Sequence, residues 1–246
     1  RALANLCELV AELAKLNAEL GVELVLCLEP EPLAYIETTE EAIQFFFQQF
    51  WPALEEYCKA NDFEFQELSR YLGVCFDTCH VACQFEDLVA SVVALKQAGV
   101  RVAKTQISVA LELRDPRTNV KGWDRLLSFD EKRYLHQTMG ASRTLQCERI
   151  SELTNADTIE EWRDETAIRS HFHVPIFWQG DDSLNTTAHT LAGVIPKLLE
   201  LGCSHFEVET YSWDVVPAKV REGIASGLGE MVAYELRYAH TLFSRD

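Results

Sequence analysis

Leu3, Leu6, Val10, Leu13 and Leu20 fall near helical spacing, so the pattern predicts a helix over residues 2–20, stopped at Gly21. The run "VELVLCLEPEP" then reads as a buried strand from Val22 to Glu29, closed by Pro30 and Pro32. Thr38 or Thr39 is placed to cap the next helix, about Glu40 to Ala60. Glu40 and Glu41 stand in its first turn, where the helix dipole favours acids, and Pro52 is a point of interruption. A short helical stretch near Phe65–Tyr71 leads into the strand "GVCF", Gly73 to Phe76. A helix over Phe85–Ala98, ended by Gly99, and a strand over Val100–Val109 follow.

Residues 110–168 break this rhythm. "LRDPRTNVKGW" reads as loop, and "SFDEKRYLHQTM" and "DTIEEWRDETAI" read as helices capped by Ser128 and Asp157. The expectation is a helical insertion of roughly 60 residues, well beyond an ordinary connection. "SHFHVPIFWQGDD" reads as extended, Thr186–Leu201 as a helix containing Pro196, Ser204–Thr210 as a strand and Ala218–Phe243 as mostly helix.

Strands alternating with helices imply a parallel sheet with crossover connections. In such sheets the chemistry gathers at the carboxyl ends of the strands. Each of the four strong strands carries polar groups there. The first ends in Glu29, with Glu31 two residues on; the second ends in Asp77, followed by His80. The third carries Lys104 and Gln106, and the last Glu207 and Glu209, each pair two residues apart and so on one face. His171 and His173 share the same spacing. Glu29, Asp77, Gln106 and Glu209 are placed to converge. Converging carboxylates repel and raise one another's pKa, and a divalent cation removes that penalty. Oxygen-rich ligands suit Mn²⁺, Mg²⁺ or Co²⁺, while nearby imidazoles favour Zn²⁺ or Fe²⁺. Asp77 therefore reads as a metal ligand, with His80 supporting it or meeting the substrate; the plainer reading is that Asp77 and His80 cap the following helix.

The net charge of −17 repels a phosphate backbone, so nucleic acid is not an expected partner. No stretch approaches the ~20 apolar residues of a membrane span. The eight cysteines form no CxxC pair and several lie in apolar runs, so buried thiols in a reducing cytosol, and a cytoplasmic location, are expected.

"LEPEP", "FDTCH", "KTQIS" and "VETYSW", in this order on successive strands, resemble the second half of the xylose-isomerase-like TIM barrel superfamily, which includes sugar epimerases, hydroxypyruvate isomerases and endonuclease IV. The resemblance implies a fold that is the C-terminal half of a (β/α)8 barrel, with metal ligands at Glu29, Asp77, Gln106 and Glu209. It also implies that Glu29 and Glu209 shuttle a proton in an isomerase or epimerase acting on a small polyhydroxy or keto substrate. "DTCH" is the endonuclease IV wording. The long insertion before "HFHVPIF" is similar to the EboE group of metabolite-traffic proteins, which leaves a non-catalytic metabolite-binding barrel as an alternative, with a phosphodiesterase as another. The missing barrel half is expected before Arg1, as roughly 100–150 residues.

Around this core, His171 and His173 are expected to meet metal or substrate, Lys104 to face the substrate, and Arg114 or Arg117 to contact an anion from a cap formed by residues 110–168. Glu31 and Glu37 are expected to be solvated or capping, Glu207 to line the barrel below the site or pair with Lys104, and His136, His189, His205 and His240 to be structural or on the surface. The run Phe45–Phe47 with Phe50 and Trp51 is expected to pack in the core or on a missing neighbour.

Overall fold

The strands β1 (Leu26–Leu28), β2 (Leu72–Asp77), β3 (Val102–Ile107) and β9 (Phe206–Val208) pair in parallel, in the order β1-β2-β3-β9. This is seen in a computed structural model that describes residues 1–213 and 227–243. The register sets Cys75 beside Lys104, Asp77 beside Gln106, and Gln106 beside Glu207, so these polar side chains share one face of the sheet. Leu72, Val74, Phe76 and Ile107 alternate with them and enter the apolar core beneath the helices. Gly73 is required where β2 meets β3, because a Cβ there would lie 2.6 Å from the Arg101 carbonyl oxygen.

The first helix, α1 (Ala2–Leu20), ends on Gly21 in the left-handed conformation, as the pattern predicts. Thr38, rather than Thr39, caps α2 (Thr39–Phe45), and a reciprocal bond from Glu41 completes a capping box. The helix continues through a π-turn (Phe46–Phe50) into α3 (Trp51–Asn61), which carries Pro52 in its first turn. Pro52 thus falls in the turn after the π-turn, and the helical run continues across it. Phe45, Phe46 and Phe50 are buried, while Phe47 is exposed. A short helix α4 (Phe65–Leu68) precedes β2; α5 (Thr78–Cys83) and α6 (Leu88–Gln97) follow it.

Residues 110–168 differ from the expected helical cap. They supply four strands of a second, antiparallel sheet: β4 (Leu111–Arg114), β5 (Thr138–Gly140), β6 (Gln146–Cys147) and β7 (Ala167–Ser170). With β8 (Asn185–Thr186) the order is β6-β5-β7-β4-β8. Leu111 and Leu113 alternate with Glu112 and Arg114, a period of two that fits a strand. The helix expected from Ser128 is displaced. Asn119 caps α7 (Val120–Leu127), and Ser128 ends that helix, its hydroxyl donating to the Arg125 carbonyl. Within "DTIEEWRDETAI" the helix is α8 (Ile159–Asp164), and Thr158, not Asp157, occupies its cap position.

Pro196 lies inside α9 (Leu191–Glu200). The last described helix is α10 (Leu228–Phe243); the part of the expected helix over residues 218–226 lies outside the described residues. Glu235 of α10 is buried and accepts from Ile176 N (2.8 Å), Thr210 Oγ1 (2.5 Å) and Trp213 Nε1 (3.1 Å). One carboxylate thus fastens the segment after His173 to the segment after Glu209. The architecture is mixed α/β, and among the described residues the parallel sheet is open, with β1 and β9 at its edges. Among the same residues no helix is long and apolar enough to cross a membrane.

Candidate metal centre

Asp77 stands where β2 gives way to α5. Its Oδ1 accepts from the His80 backbone N–H at 2.9 Å, capping the helix, and from Ser108 Oγ at 2.7 Å. Capping therefore accounts for one oxygen only: Oδ2 is buried and has no partner. Glu209 Oε2 is in the same condition. A buried acceptor left unpaired is costly, and two of them close together signal an absent cation or a shared proton. Glu29, Asp77 and Glu209 each offer an oxygen within 4.8 Å of the others.

Three imidazoles close over this group. His80 lies on α5, and His171 and His173 follow β7, with Phe172 between them turned into the core against Phe129. His171 Nε2 lies 3.1 Å from His80 Nε2 and 2.9 Å from His173 Nε2. Each Nδ1 meets an oxygen that only accepts: Pro30 O for His80, Gln137 Oε1 for His171 and Glu209 O for His173, all at 2.9 Å. The proton therefore sits on Nδ1, which turns the Nε2 of His171 towards those of His80 and His173. Lone pairs at this separation repel, and a cation beside them relieves that repulsion. The donor atoms of Asp77, His80 and His173, and those of Glu29, Asp77 and Glu209, lie within 4.8 Å of one another and could hold a divalent cation.

The electrostatics agree. Burial holds His171 well below the usual histidine range, and the neighbouring imidazoles add to it. Burial brings His173 down to about 4, against the pull of Asp77. Both rings are thus neutral ligands near pH 7. Burial pushes Asp77 up, but His80, His173 and the Ser108 hydroxyl outweigh it and hold the carboxyl below its ordinary value. Burial, then the Asp77 charge, pushes Glu209 up to about 8. Burial also raises Glu29, partly offset by His80.

These groups floor a cavity of about 400 Å³ lined by Glu29, Glu31, His80, His171, His173 and Glu209. Tyr134 and Tyr211 form its wall, with ring centroids 4.7 Å apart, and Tyr211 lies 4.7 Å from His173. Arg133 also lines it. No protein-family model, curated protein or solved structure matches this chain.

The remaining expected residues divide differently. Gln106 spends its Oε1 on the Cys75 thiol at 2.8 Å, and Ser108, two residues further along, makes the contact to Asp77. Lys104 is ion-paired with Glu207 and is absent from the cavity lining. Arg114 pairs with Glu112 at 2.8 Å, and Arg117 with Glu160 and Asp164. Neither arginine is among the residues that line the cavity, since each is held by these acids; Arg133 is among them. Ser108 and Gln137 were not singled out in the sequence, and Glu31, expected to be solvated, accepts from Gln137 Nε2 at 2.8 Å. His136 is buried, bonded to Glu131 at 3.0 Å. All eight cysteines are free thiols.

Proposed function

We propose that this chain carries the metal centre of a divalent-metal-dependent isomerase or epimerase acting on a small polyhydroxy or keto substrate, within the C-terminal half of a xylose-isomerase-like (β/α)8 barrel. The observation that carries it is the gathering of His80, His171 and His173 beside Asp77 and Glu209, each of which has a buried oxygen with no hydrogen-bond partner. The barrel reading is supported by the parallel β-α order and by functional side chains at the strands' carboxyl ends. Three imidazoles tilt the choice of ion towards Zn²⁺ over the Mn²⁺, Mg²⁺ or Co²⁺ of an all-oxygen site.

A divalent ion would be held by donors from Asp77, His80 and His173, or from Glu29, Asp77 and Glu209, and would supply Lewis-acid polarisation of substrate oxygens. The chain's own residues do the rest. Glu209 and Glu29 border the cavity and are the groups positioned to take a proton from a substrate carbon and return it. Tyr134 and Tyr211 shield that exchange from water. A second reading, phosphoester hydrolysis, is favoured by the imidazole-rich donor set; a metabolite-traffic role of the EboE type is a third class, binding without turnover.

The test is elemental analysis of the purified protein, followed by incubation of candidate aldoses, ketoses and phosphoesters in deuterated water. Bound zinc with deuterium entering a substrate C–H supports the isomerase. Bound zinc with phosphate release supports the hydrolase. Absence of any bound divalent ion after zinc or cobalt reconstitution overturns the reading.

A further inference from the structure

Of the three imidazoles, His171 is the one whose Nδ1 hydrogen-bonds a side-chain amide; the Nδ1 of His80 and of His173 bond main-chain oxygens at 2.9 Å, with the Glu29 and Glu209 carboxylates further off at 3.5 Å. His80 and His173 face main-chain carbonyls of Pro30 and Glu209, which cannot donate, so their tautomers are fixed by the backbone. Gln137 is different. Its amide can present either end to His171, oxygen or NH₂. With NH₂ inward, His171 Nδ1 would have to accept, its proton would move to Nε2, and that nitrogen would no longer present a lone pair to an ion.

Glu31 decides between the two. Its Oε1 accepts from Gln137 Nε2 at 2.8 Å, and a carboxylate only accepts, so the NH₂ must point to Glu31 and the oxygen to His171. The carboxylate is held in place by its turn. Glu31 N donates to Ile36 O and Ala34 N donates to Glu31 O, both at 3.0 Å, with Pro30 and Pro32 on either side. The same turn supplies Pro30 O to His80. The distance from Glu31 Oε1 to His171 Nδ1, 3.8 Å, is too long for a direct bond, so the influence runs through the amide.

We propose that Glu31 is a positioning residue that fixes the tautomer of His171 through Gln137 and so keeps His171 Nε2 free for a divalent cation, an inference that rests on the metal-centre reading above. The order Glu31–Gln137–His171 also requires that exchanging the first two side chains preserve the outcome. A glutamine at 31 donates to a glutamate at 137, and that glutamate again accepts from His171 Nδ1.

The experiment compares the wild-type chain, Glu31→Leu, which removes the acceptor that a glutamine at 31 would keep, and the double exchange Glu31→Gln with Gln137→Glu. Zn²⁺ affinity is read by competition with a chromophoric chelator, and the His171 tautomer by ¹⁵N NMR of the metal-free proteins. Glu31→Leu is expected to weaken Zn²⁺ binding about 10- to 100-fold, the range for residues that orient a metal's ligands. It is also expected to move the His171 proton towards Nε2, and the exchange to keep both as in the wild type. Unchanged affinity in Glu31→Leu, or an exchange variant that folds but does not match the wild type, overturns the proposal; the latter result is expected if Glu31 binds the ion directly. If the wild-type chain takes up no metal, the metal-centre reading fails. The tautomer still decides the relay: a proton on Nδ1 in the wild type that shifts in Glu31→Leu supports it, and an unshifted proton overturns it.

Discussion

Glu112 and Arg169 face each other across the β4–β7 pair, and the guanidinium donates to Glu112 Oε1 through Nε at 3.1 Å and Nη2 at 2.9 Å. Arg169 Nη1 also donates to Ala82 O at 2.7 Å, and the guanidinium lies over the Phe85 ring. This side chain therefore joins the antiparallel sheet to the end of α5, the helix that carries His80. Two residues beyond Arg169 is His171, so the join sits next to the imidazole cluster.

Glu112→Ala leaves Arg169 largely buried without its counter-charge. It is expected to cost about 3–5 kcal/mol, the range for breaking one half of a buried ion pair. Urea denaturation followed by circular dichroism measures this; a loss below about 1 kcal/mol, the range of exposed pairs, would show that the pair does not hold the sheets together.

Asp77→Asn separates the two oxygens' roles. Asparagine caps a helix as well as aspartate does, so α5 is expected to keep its start. The unpaired buried charge disappears, and the melting temperature of the metal-free protein is expected to stay level or rise. Zinc uptake is expected to fall sharply. A variant that binds zinc as the wild type does would remove Asp77 from the ligand set.

The metal-free protein is expected to be most stable from pH 4.5 to 6.5, where the opposite linkages of His173 and Glu209 offset each other, and to lose stability on either side. His173, held down to about 4 from an ordinary 6.5, binds fewer protons when folded, so stability is lost as pH falls through that window. Glu209, pushed up to about 8 from 4.5, binds more protons when folded, so stability is lost as pH rises towards 8. Glu209→Gln is expected to flatten the fall above pH 6.5 and to uncover, below 6.5, the loss that His173 causes. Melting temperatures taken across pH 5 to 9, as a rough span of both transitions, decide it.

Gly73→Ala drives a methyl group against the Arg101 carbonyl, from which Val74 N takes a 2.8 Å bond. A backbone atom cannot step aside as a side-chain end can, and the cost expected is about 1–3 kcal/mol. A chemical-denaturation midpoint equal to the wild type's would show that β2 and β3 part easily.

The parallel strands and the polar groups at their ends were legible because both are written locally: an apolar run, then an acid. Asp77, Glu209, His171 and His173 lie in stretches of that kind. Ser108 and Gln137 carry no such mark. Ser108 matters through a bond to a residue 31 positions away, and Gln137 through one 34 positions away. Residues 110–168 misled for a related reason. "SFDEKRYLHQ" has helical composition, but Phe129 and His136 are claimed by the core, and Thr138–Gly140 pair with β7. Which strands find each other there is decided across the chain, and tertiary pairing overrides local propensity.

Asp77's two oxygens also separate assembly from loading. The bonds of Oδ1 to His80 N and Ser108 Oγ lie wholly within the chain, and so do the three Nδ1 bonds that aim the imidazoles. None of them needs an ion, unlike the ligands of a zinc finger, which gather only when the metal arrives. Under the proposed reading, a chelator should strip this protein to a folded apo form that takes zinc or cobalt back without refolding. The identity of the resident ion would then follow the supply around the protein and not the moment of its synthesis.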